Sequence, residues 1–79
     1  MDRLIELHNE WKECWAIVKK VTDVAEQTDV YDSYYYDALT DLEVARRNII
    51  DYTEENEDID IEDIEDDEVY LNIKSILEN

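Results

Sequence analysis

A chain of 79 residues with 24 acids against 7 lysines and arginines, a net charge of −17, disfavours direct binding to nucleic acid or to an anionic membrane. Its single cysteine excludes an internal disulfide or an all-cysteine metal cluster. No apolar run reaches the roughly 18 residues of a membrane span or forms a signal-peptide core, so a soluble cytoplasmic protein without a membrane partner is expected.

The chain reads as one acidic helical domain, 1–79. At this size folding buries only about 60% of the surface that the unfolded chain exposes, so the core is thin and can be shared with a partner or a second copy. Glycine and proline are both absent, which favours helices joined by short turns.

From the N-terminus, Leu4, Leu7, Trp11, Cys14, Val18, Val21 and Ala25 recur at alternating steps of three and four. That spacing places them on one face of a helix. Trp15 and Thr22 widen the stripe on one flank, and Ile17 and Val24 on the other, as in a globular bundle. Asp2 is placed to cap the start. Trp11 and Trp15 are expected to form the bulk of the core, Cys14 to pack as a small apolar residue, and His8 to sit at the surface or the core edge.

The segment TDVYDS, residues 28–33, carries turn and cap formers, with Asp32 or Ser33 suited to cap the next helix. A second stripe follows through Tyr35, Ala38, Leu42, Ala45, Ile49 and Tyr52. Two long amphipathic helices with a short connection predict an antiparallel hairpin. Tyr36, Val44 and Ile50 lie off the stripe and call for a further contact, from a third helix or another molecule. Tyr34, Tyr35 and Tyr36 cannot all face inward, since each step around a helix turns by about 100°. At least one is therefore exposed, and Tyr34 and Tyr36 are candidate interface anchors.

Residues 54–68 read EENEDIDIEDIEDDE, eleven carboxylates in fifteen positions with no base among them. DIDIE alternates as a strand does, whereas Ile61 and Ile64 are spaced as helix neighbours. The reading adopted is a loop near 54–60 and then a third, shorter helix over about 61–78. That helix would pack through Ile61, Ile64, Val69, Ile73, Ile76 and Leu77 and fray near Glu65 to Glu68, where its acids repel one another. The fold class is all-α, a small three-helix bundle.

Catalysis is not expected. No serine or second histidine is placed to work with His8, and a chain this short has little dry interior in which to shift a carboxylate pKa. Asp58, Asp60 and Glu62 imitate the start of a calcium loop. That loop needs glycine sixth and glutamate twelfth, where this chain has Asp63 and Val69. No metal site or cofactor is expected.

The charge itself remains to be explained. If residues 54–68 were wholly helical they would span roughly 22 Å, about one carboxylate per 2 Å, against about one charge per 1.7 Å of duplex DNA axis. Extended, they would space charges by about 4.5 Å, nearer the 3.4 Å or so of a single strand. Length, helical character and this run together resemble the small acidic DNA-mimic inhibitors of phages and mobile elements, of anti-CRISPR or anti-restriction type. The resemblance is one of composition, without an aligned motif. It implies a non-enzymatic inhibitor that occupies the nucleic-acid site of a basic protein, such as a CRISPR effector or restriction enzyme of a bacterial host.

On that reading Glu54, Glu55, Glu57, Asp58, Asp60, Glu62, Asp63, Glu65, Asp66, Asp67 and Glu68 stand in for phosphates. Asp29, Asp32, Asp37, Asp41, Glu43 and Asp51 extend the negative surface. The alternative is a helical protein-interaction module, an adaptor, antitoxin or immunity protein, whose acids serve solubility. A homodimer is compatible with both.

Overall fold

A computed structural model of the chain describes residues 2–78, and these form three α-helices and one short 3₁₀ turn, with no strand among the described residues. Helix α1 spans Asp2–Thr28, α2 Ser33–Glu55 and α3 Asp67–Glu78; the 3₁₀ turn is Ile61–Asp63. The first two pack as the expected hairpin, and the third is the shorter partner.

The turn between α1 and α2 is made without glycine. Asp29 takes the left-handed conformation, φ 56°, and the Val30 N–H reaches back to the Ala25 carbonyl at 3.2 Å. This is the usual closure of a helix C-terminus, with aspartate standing where glycine is commonest. Asp32 then caps α2, its Oδ1 accepting from the Tyr35 N–H at 3.4 Å.

The core lies at one end of the molecule. Leu4, Leu7, Ile49, Ile64, Val69, Ile73 and Ile76 are buried together, with Trp11, Ile50, Tyr52, Ile59 and Ile61 packed around them. Toward the turn, the hairpin is sealed by Val18, Ala25, Ala38 and Ala45, mostly small residues that let the two backbones approach closely.

Two polar contacts mark the direction of α3, which docks through Val69, Ile73 and Ile76. Lys12 Nζ pairs with Glu68 Oε1 at 2.6 Å, and Asn72 Nδ2 donates to His8 Nε2 at 3.1 Å. Helix α3 therefore runs antiparallel to α1, starting level with Lys12 and ending beside the first turn of α1. At about 1.5 Å per residue its 12 residues cover roughly 18 Å of a hairpin whose first helix, with 27, is roughly 40 Å long.

That length mismatch corrects one expectation and divides another. Trp11 is half-buried, but Trp15 stands beyond the end of α3 and is 40% exposed, so it is not core bulk. Of the three off-stripe residues of α2, Ile50 packs against the core while Tyr36 and Val44 face water.

His8 also departs from expectation. It is only 1% exposed, wedged between α1 and α3 rather than at the surface or the core edge. Its Nδ1 meets Asn9 Oδ1 at 3.2 Å, so an imidazole with its proton on Nδ1 satisfies both ring nitrogens. Cys14 is half-buried, as its inner position suggested.

Candidate functional site

The acidic segment is neither one helix nor one loop. Helix α2 continues through Glu54 and Glu55 and stops at Asn56, whose backbone N–H and side-chain Nδ2 both bond the Tyr52 carbonyl. The irregular stretch thus begins at 56 rather than 54.

The predicted helix from 61 is corrected too: residues 61–63 form a single 3₁₀ turn, Ile64 is extended, and α3 begins only at Asp67. Asp60 and Asp66 account for the break. Asp60 Oδ1 accepts from the Glu62 N–H at 2.9 Å and opens the 3₁₀ turn. Asp66 Oδ1 accepts from the N–H groups of Glu68 and Val69, at 2.9 and 3.3 Å, and caps α3. Aspartate competes well for backbone N–H groups at such positions. Asp67 and Glu68, expected to fray, instead form a first helical turn in which negative charge suits the dipole.

The isoleucines determine which way the acids point. Ile64 is buried and Ile59 and Ile61 are half-buried against the core. The intervening carboxylates are turned outward, and all eleven, Glu54, Glu55, Glu57, Asp58, Asp60, Glu62, Asp63, Glu65, Asp66, Asp67 and Glu68, are exposed. Fifteen residues thus fold into a ridge with an apolar underside and a charged crest.

Three of the eleven have structural work: Asp60 and Asp66 as caps, and Glu68 with Lys12. The other described ion pairs, Arg3–Glu6, Arg46–Glu43 and Arg47–Asp51, lie within single helices and leave the crest untouched. The crest alternates helical, turn and extended pieces, so neither the straight-helix nor the straight-strand spacing describes it.

Beside the ridge lies a shallow depression of about 390 Å³, lined by Ile5, Asp63, Ile64, Glu65 and Asp66. It has an apolar floor and a carboxylate rim. An arginine or lysine fits such a shape, with its methylene stem on the isoleucines and its charge among the acids.

Tyr34 and Tyr36 are 76% and 58% exposed, while Tyr35 is half-buried between the rings of Tyr31 and Tyr36. They belong to the turn end of the hairpin, whereas the ridge is built on the end where α3 docks, so the candidate anchors and the ridge form two separate surfaces. The sequence missed the Ile5 floor and the caps Asp60 and Asp66; the isoleucine spacing was the one signal that the run was anchored.

Among the described residues, no helix is long and apolar enough to cross a membrane, and no group of three or more His, Cys, Asp or Glu is arranged to hold a metal ion. No family model, curated protein or solved structure matches the chain.

Proposed function

We propose that the protein is a non-enzymatic inhibitor whose acidic ridge takes the place of nucleic-acid phosphates in the binding groove of a basic protein. The target class is a CRISPR effector or restriction enzyme in the bacterial cytoplasm. One observation carries this reading: eleven exposed carboxylates stand on a backbone that Ile59, Ile61 and Ile64 fix to the core. A merely solubilising acidic run has no need of that anchorage. Holding the acids in place before binding lowers the ordering cost that a floppy tail meets at the moment of association. Binding releases counterions and water from the partner's arginines and lysines, so affinity falls steeply with salt.

The test is charge reversal on the crest. Glu57, Asp58, Glu62 and Asp63 carry neither of the two caps nor the Lys12 ion pair, so E57K/D58K/E62K/D63K should keep its helical circular dichroism. The protein is immobilised, nuclease-treated bacterial lysate is passed over it, and bound material is eluted first with duplex DNA. A nucleic-acid enzyme released by DNA and not captured by the variant supports the proposal. A partner that binds the variant equally well refutes it.

The exposed Tyr36 and Val44 favour a second reading, an interaction module that binds through an apolar helix face. Its complexes would persist through competing DNA and moderate salt.

A further inference from the structure

The groove that α3 occupies continues past its end with no third helix in it. His8 faces α3, and steps of seven residues along α1 place Trp15 and Thr22 on the same face; from Ile49 the same step along α2 leads back to Leu42 and Tyr35. Because α3 starts level with Lys12, the stretch from Lys12 to Thr28, about 24 Å of helix, is uncovered on this side. Two helices of about 10 Å diameter make it roughly 500 Å² in projection. Even in projection that is of the same order as the about 600–800 Å² per partner that a specific interface buries.

We infer that a second copy of this chain fills this groove, forming an antiparallel four-helix contact between the turn halves of two hairpins. This inference stands apart from the proposed inhibitor role, and charge argues for it in two ways. Residues 13–47 hold eight acids and four bases, while the remaining residues hold sixteen acids and three bases. The turn half is thus the part of the molecule that tolerates a copy of itself.

The register is also self-complementary. A symmetric interface requires that whatever a residue meets on the partner, its copy meets in return. Lys19 and Glu26 are seven residues apart, on the flank that carries Lys12 toward α3. A twofold axis crossing α1 between Thr22 and Asp23 sets Lys19 of each copy against Glu26 of the other. The same axis brings Leu39 close to its own counterpart and lays Leu42 of each copy over Tyr35 of the other. It brings the turn of the second copy over Trp15, short of the first turn of α3. The two acidic ridges then lie at opposite poles, about 30 Å or more apart from Glu68 to Glu68, some three Debye lengths at 0.1 M salt.

Sedimentation equilibrium on the full chain, from micromolar to millimolar at moderate salt, should show a monomer of 9.5 kDa passing to a species of twice that mass. Leu39→Glu, at a position already 37% exposed in the monomer, should weaken the dimer by at least about tenfold with helicity unchanged. Lys19→Glu should weaken it by about three- to tenfold, since it breaks two symmetric exposed pairs. The double variant K19E/E26K should recover the native affinity, because the reciprocal pairs re-form with their signs exchanged. A monomer at every concentration would overturn the inference and leave the groove to a different protein. So would a dimer indifferent to Leu39→Glu, or one that K19E/E26K fails to restore.

Discussion

The Asn72 to His8 hydrogen bond fixes the level at which α3 docks, and through α3 it fixes the end of the acidic ridge. It can be measured by a double-mutant cycle. His8→Ala removes an almost wholly buried ring, its 3.1 Å bond from Asn72 and its contact with Trp11, whose ring centroid lies 6.1 Å away. A buried aromatic truncation costs about 3 kcal/mol or more, and a small single-core domain holds only about 3–5 kcal/mol in all. His8→Ala is therefore expected to leave α3 largely undocked at 25 °C. Asn72→Ala, at a half-buried position, should cost about 1 kcal/mol.

The informative quantity is the coupling between the two substitutions, expected at about 0.5–1.5 kcal/mol for a bond shielded from water. Urea titrations followed by circular dichroism supply the four stabilities, with trimethylamine oxide added equally to all samples so that His8→Ala has a folded baseline. A coupling below about 0.3 kcal/mol would mean that the bond does not contribute to docking. Docking of α3 would then rest on Val69, Ile73 and Ile76 together with Lys12–Glu68.

Two further outcomes are expected. Asp29→Gly should raise stability by about 0.5–1 kcal/mol in urea titration, since Asp29 sits at φ 56° and places a negative charge at the C-terminus of α1, where the dipole opposes it; a loss of stability would refute the strain argument. Burial raises the Cys14 thiol above its ordinary pKa of about 9, and Asp41, Glu13 and Glu10 push it the same way. Iodoacetamide at pH 8 should therefore label it more slowly than an unstructured cysteine peptide, and Asp41→Asn should recover part of the difference. Unfolding returns the thiol to its ordinary value, so this contribution to stability is present below about pH 9 and is lost as pH rises through the elevated folded value.

Much of this architecture is local and was legible residue by residue. The three-and-four spacing from Leu4 to Ala25 and from Tyr35 to Tyr52, in a chain without glycine or proline, leaves helices as the one way to bury those side chains together. Asp32 caps α2 where its side chain promised to, because capping needs only a carboxylate and an N–H three residues on. The acids of 54–68 follow the same local logic, since isoleucines interleaved with carboxylates must turn one set inward and the other out.

Tertiary contact decided the rest. DIDIE, residues 58–62, reads as a strand and Ile61 with Ile64 as a helix. The helix expected from 61 gave way because Ile59, Ile61 and Ile64 reach a core assembled from three other segments while Asp60 and Asp66 capture the backbone N–H groups. His8 reads as a surface or core-edge residue until Asn72, 64 positions away, arrives to satisfy it. Trp15 shares a stripe with Trp11, yet one is covered and the other is not, because periodicity fixes the face of a helix that turns inward. How far along that face a third helix reaches depends on where α3 begins, and the cap at Asp66 and the docking of His8 with Asn72 set that point together.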